Sequence, residues 1–193
     1  VPSATSLPAE GVTGVVDVLS TVSQSQNANF DPEVFIPIEG GYRMGRGTAG
    51  QGEIIAVVMP ASVMNSAFGN NAPARIRRMD VEMTLRTINP NLVNADDVFF
   101  GSYWQAEGGD ERVGIRVEVV NQTVINLYRL VDEQATFLSQ RSVNAVIVRL
   151  RMERSLENGS VSLYYNDELL GEPVPFLSPD AAVQPAVFVR DGG

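Results

Sequence analysis

Asp80 and Glu82 stand two apart in the alternating stretch Arg77 to Thr87, so both carboxylates project from one face of a predicted strand. Two carboxylates flanking a sugar can act as acid and base in glycoside hydrolysis. Arg78 and Arg86 flank this pair on the same face, and a surface ion-pair ladder is the preferred expectation. Asn94, Asp96 and Asp97 fall in one polar loop, and Asp110 and Glu111 in the turn after the next strand. Two adjacent loops can supply the oxygen ligands that calcium takes, although no EF-hand spacing is present. Calcium is therefore the one cofactor the residues suggest, against plain polar loops. Tyr103 and Trp104 end an aromatic stretch, Val98 to Trp104, and a ring face there could stack on a sugar. Neighbours on a strand point to opposite faces, so at most one of the two is a ligand platform.

Other motifs carry less. Asn121-Gln122-Thr123 and Asn158-Gly159-Ser160 match the glycosylation sequon, but both fall at predicted turns, where Asn is favoured in any case. Gly45, Gly47, Gly50 and Gly52 make a glycine-rich loop. It is no phosphate cradle, because no Lys follows and the next element reads as a strand, Glu53 to Met59. Arg75, Arg77 and Arg78 form a small basic cluster, read as a solvated strand end.

Composition narrows the chemistry further. The chain of 193 residues has no Cys and no His, and all 14 basic residues are Arg. Thiolate chemistry, the commonest general base and Schiff-base chemistry are thereby missing. The net charge of −9 opposes nucleic-acid binding, which needs a basic face for phosphates. No apolar run approaches the roughly 18 residues that span a bilayer, so no membrane insertion is expected. No basic region followed by an apolar core opens the sequence, so no signal peptide is expected, and a start at Val1 suggests a processed or trimmed chain.

The elements that must position these residues are strands. In Val146 to Gly171, Val148, Leu150 and Met152 alternate with Ile147, Arg149, Arg151 and Glu153. Glu157 to Ser160 is a turn, Val161, Leu163 and Tyr165 line the return strand, and Asn166-Asp167 turns again. Met79, Val81, Met83 and Leu85 face inward in Arg77 to Thr87. Val113, Ile115, Val117 and Val119 line another strand, and Val124 to Leu130 another. Pro60 to Asn71 is a loop with one helical turn at Ala61 to Ser66, Thr136 to Gln140 is a short strand or loop, and Val183 to Arg190 is the last strand. Short alternating strands punctuated by turns predict an all-β, antiparallel two-sheet sandwich in residues 23–193. Residues 1–22, rich in Pro, Ser and Thr at their start, read as an extended arm with one strand.

From Arg77 onward the order of features resembles the concanavalin A-like lectin/glucanase superfamily, its laminin G-like branch in particular. The matching pieces are Met79 to Arg86, Phe99 to Trp104, Val113 to Val119 and Val148 to Gly171. The resemblance implies a jelly-roll sandwich and makes sugar or protein binding the default. Two departures stand out. The glucanase motif Glu-x-Asp-x-x-Glu is missing, since only Asp80 and Glu82 are present. Many members also have a further strand after the position of Arg190. Val12 to Leu19, with Val12, Val15, Val16, Val18 and Leu19, could fill that gap from this chain or from another copy.

The resulting expectation is a non-catalytic extracellular or cell-surface module that binds glycans or partner proteins. A structural subunit of a filament or coat, joined through its N-terminal strand, is the alternative. A glycoside hydrolase stands third.

Overall fold

Val113, Ile115, Val117 and Val119 are each at most 1% exposed, and the residues between them face the other way. That alternation makes a half-buried strand, because every second side chain leaves water. The computed structural model describes residues 35–38, 41–44, 54–84, 98–121, 123–143 and 147–190. The arm strand Val12 to Leu19, the glycine-rich loop, and Asn94, Asp96 and Asp97 lie outside the described residues.

Strands β1 (Phe35–Ile38) and β2 (Gly41–Met44) pair antiparallel as a small separate sheet. β3 (Ile54–Val58) leads to two short helices, α1 (Ala61–Phe68) and α2 (Ala72–Arg75). Nine strands follow: β4 (Arg78–Thr84), β5 (Phe99–Ala106), β6 (Arg112–Asn121), β7 (Val124–Val131), β8 (Gln134–Ser142), β9 (Ile147–Arg154), β10 (Val161–Tyr165), β11 (Glu168–Leu169) and β12 (Val183–Arg190). They form two antiparallel sheets, one in the order β11-β10-β9-β4 and one, with β3, in the order β3-β12-β5-β6-β7-β8. This is the two-sheet sandwich that the alternation predicts.

The sheets meet through one apolar core. Val148, Leu150 and Met152 of β9 and Val161, Leu163 and Tyr165 of β10 join Val113, Ile115, Val117, Ile125, Leu127 and Trp104 of the larger sheet. Burying each such side chain stabilises the fold by about 1.5–3 kcal/mol. The turns match their residues. Asn166 and Asp167 take φ of 45° and 69°, as a two-residue hairpin turn requires. Asn121 and Asn158 both work inside their own turns, since Asn121 Oδ1 accepts from the Thr123 amide and Asn158 Oδ1 from the Ser160 amide.

Three elements differ from the sequence expectation. The loop after β3 carries a full eight-residue helix, α1, rather than one turn. Among its described side chains it buries only Val63 and Met64, together with Met59 and Ala72 of its surroundings, too few positions to display a helical period. β8 spans nine residues instead of the short piece Thr136 to Gln140. Its side chains are mostly exposed and a bulge breaks its register opposite Leu127 and Tyr128, so it lacks a clean alternating face. β5 continues two residues beyond Trp104, to Ala106.

Candidate functional site

Trp104 pairs with Val113 and Pro185 and shares the inward parity of Phe100, Ser102 and Ala106. It is fully buried, 0% exposed, in the core between the sheets. As a ligand platform it is therefore a correction: its parity turns the indole into the core, out of reach of a ligand. Tyr103 takes the opposite parity and stands on the outer face of the larger sheet.

That outer face holds a second apolar cluster. Phe99 and Tyr103 of β5 pack with Ala186 and Phe188 of β12, against Ala56 and Val58 of β3 and Leu130 of β7. The ring of Phe188 stands 6.0 Å from that of Phe99 and 5.8 Å from that of Tyr103. Gly101 makes this packing possible. A Cβ there would come within 2.8 Å of the Phe188 ring and would run into the Ile115 carbonyl. Gly114 is similar, since a Cβ would lie 2.6 Å from that of Tyr103.

A cavity of about 510 Å³ opens over this cluster. Its apolar lining includes Val58, Phe99, Tyr103, Leu130 and Phe188. Gln105, Arg112, Arg116, Asp132 and Glu133 supply its polar groups. Each is held by its strand or turn. The Asp132-Glu133 turn joins β7 to β8, with Asp132 at φ 54°. Asp132 Oδ1 accepts the Arg112 amide at 3.1 Å, and the Asp132 amide donates to the Arg112 carbonyl at 2.9 Å. Gln105 Nε2 donates to the Gly109 carbonyl at 2.9 Å.

The two arginines differ. Arg116 donates to Glu118 at 2.8 Å, and its guanidinium lies 3.9 Å from the Phe99 ring centre. Arg112 lies 5.3 Å from the Tyr103 ring centre and has no carboxylate partner among the described residues, while the Nε of both arginines is out of solvent without a hydrogen-bond partner. Burial raises the Tyr103 phenol above its ordinary value, while the Arg112 charge opposes that rise.

The other candidate residues stand elsewhere. Asp80 and Glu82 lie on the exposed outer face of the smaller sheet, with Arg78 at 2.7 Å from Asp80 and Arg149 at 2.9 Å from Glu82. Their surroundings are an ion-pair ladder that also holds Glu153, Arg151 and Asp167. Arg86, the expected flank, is outside the described residues, and Arg149 of β9 takes that place across the ladder. Asp110 and Glu111 are exposed in the turn between β5 and β6. Among the described residues no three acidic side chains gather as a metal site. No helix among them is long and apolar enough to cross a membrane.

Sequence reading missed Phe99, Arg112, Asp132, Glu133 and Phe188 as cavity residues. A signal was available: Phe99, Tyr103, Arg112 and Phe188 all occupy the parity opposite the apolar core, where large aromatics are unexpected on a solvated face.

No protein-family model matches the sequence, and no curated protein matches it. Solved structures with a similar fold include a carbohydrate-binding module from Bacillus subtilis, at 7% identity and a TM-score of 0.37 over 60% of this chain and 71% of that one. A β-glucanase from Bacillus licheniformis is 12% identical, with a TM-score of 0.35 over 61% of this chain and 54% of the glucanase. Sheep galectin-11 is 9% identical, with a TM-score of 0.34 over 75% of this chain and 93% of that one. At these identities and scores the likenesses assign neither a family nor a ligand.

Proposed function

We propose that this chain is a non-catalytic binding module that takes a saccharide in the cavity on the outer face of its larger sheet. The carrying observation is the make-up of that cavity: an apolar floor with Tyr103, Phe99 and Phe188, bordered by Gln105, Arg112, Asp132 and Glu133. Sugars are amphipathic in the same sense. Their C–H faces lie on aromatic and aliphatic surface, and their hydroxyls accept hydrogen bonds from amide N–H and guanidinium groups and donate them to carboxylates. The volume of about 510 Å³ falls within the usual range of small-ligand sites. The absence of catalysis is part of the proposal. Asp80 and Glu82 are engaged by arginines on an open face, a setting suited to an ion-pair ladder. The acidic composition and the Pro/Ser/Thr-rich start suit an extracellular or cell-surface place.

The test is calorimetric titration with short neutral and acidic oligosaccharides, chosen by a glycan array, on the native chain and on Tyr103→Ala. A roughly tenfold or greater loss in Tyr103→Ala, with an unchanged circular-dichroism spectrum, is expected. Equal binding by both proteins, or none by the native chain, overturns the reading.

A second reading is favoured by β8. Among the described residues this strand is at one edge of the larger sheet, and its Phe137 is 54% exposed. An edge strand exposes backbone groups for strand addition, with the bulge and Arg141 of β8 acting against it. In this reading the chain is a structural subunit, and Val12 to Leu19 of another copy is the donated strand.

A further inference from the structure

We infer that Arg112 makes the cavity selective for saccharides that carry an oxyanion, a uronate carboxylate or a sulfate ester. The inference rests on the saccharide reading and narrows it. Among the described residues the Arg112 guanidinium makes no hydrogen bond and no ion pair, although it lines the cavity. Its neighbours explain why. Asp132, which exchanges backbone contacts with Arg112, directs Oδ1 to the Arg112 amide and makes no ion pair with the guanidinium. Tyr103 offers only a ring face, at 5.3 Å from its centre. The second arginine of the cavity, Arg116, is already joined to Glu118 at 2.8 Å. A guanidinium is permanently charged and presents its donors in a plane that matches a carboxylate or a sulfate edge. The Nε–H of both cavity arginines is out of solvent without an acceptor, but only Arg116 has a carboxylate on its terminal nitrogens, so an oxyanion in the cavity finds its unpaired guanidinium at Arg112.

Asp132 and Glu133 also border the cavity, and their charges repel an anion. Selectivity must therefore come from the close guanidinium contact and not from the overall field, since the chain carries a net charge of −9. Two consequences separate this from general electrostatic attraction. Affinity for an acidic ligand should depend only weakly on salt, because one contact at close range is poorly screened. Glu133→Gln should strengthen the binding of acidic ligands and leave their preference for Arg112 in place.

The experiment compares three matched probes: an oligoglucuronate, a sulfated oligoglucoside and the neutral oligoglucoside. Each is titrated into the native chain, Arg112→Gln and Arg112→Lys. The native chain should favour one or both acidic probes by about tenfold or more. Arg112→Gln should abolish that ratio, and Arg112→Lys, which keeps the charge without the planar donors, should retain part of it. The uronate and sulfate arms identify which oxyanion is taken. Neutral and acidic probes bound equally by the native chain, or a preference that survives Arg112→Gln, overturns the inference while the saccharide reading stands. No binding of any probe overturns both.

Discussion

Arg116 and Glu118 lie two apart on β6, joined through Nη2 and Oε2 at 2.8 Å on the outer face of the larger sheet. Glu118 is only 7% exposed, and it also accepts from the Tyr128 hydroxyl at 3.2 Å and Asn126 Nδ2 at 3.4 Å. This pair fixes the far wall of the cavity, because the same guanidinium covers the Phe99 ring. Removing the carboxylate leaves Arg116 half-desolvated without its anion. Glu118→Ala should destabilise the fold by about 2–3 kcal/mol, and Glu118→Gln by less. Urea denaturation checks this: a fall in midpoint at constant slope is expected.

Gly101 has a second steric role, since the Phe188 ring occupies the space above it. Gly101→Ala should cost about 1–3 kcal/mol and displace Phe188 from the cavity floor. A matching fall in thermal midpoint and a weakened saccharide titration would together report it. An unchanged midpoint would show that both the Phe188 ring and the Ile115 carbonyl can give way.

Tyr103, Tyr128 and Tyr165 are all raised above the ordinary phenol value, in each case chiefly by burial. A raised folded-state value means that the fold favours the protonated form. Their contribution to stability is therefore complete below about pH 10 and is lost as pH rises through the folded values. Absorbance titration of the phenolates should show late, steep ionisation that coincides with unfolding. In Arg112→Gln the Tyr103 step should move later still, because the charge that opposes its rise is gone.

Deletion of residues 1–19 separates the binding module from the assembling subunit. Light scattering at several concentrations should give the same monomer mass with and without them if the chain acts alone. Assemblies that vanish on truncation would favour donation of Val12 to Leu19. A truncated chain that loses stability as a monomer would instead mean that the strand pairs within its own molecule.

The sandwich was legible because its core strands carry the signal themselves: Val148, Leu150 and Met152 alternate with charged residues, and each is at most 1% exposed. The cavity was harder to see. Its residues come from β3, β5, β6, β7, β8, β12 and the β7–β8 turn, which only the strand order brings together. Trp104 illustrates the limit. Parity alone says that Tyr103 and Trp104 oppose each other, but which one faces the core depends on the register with Val113 and Pro185. Asp80 and Glu82 were readable as an ion-pair face, while their partner Arg149 lies 67 residues away from Glu82 in sequence.

Arg154 ties together segments far apart along the chain. It is 4% exposed, and its guanidinium donates to the carbonyls of Ile76, 78 residues earlier, and Ala181, 27 residues later. Desolvation, and then the charge of Arg77, push it down to about 10, so it stays charged at neutral pH. Such a clasp needs segments distant in sequence to be in place first, and we predict that it closes after the rate-limiting step of folding. Arg154→Met should then leave the refolding rate nearly unchanged and speed unfolding. The lifetime of the native state, more than the speed at which it is reached, is what this side chain governs.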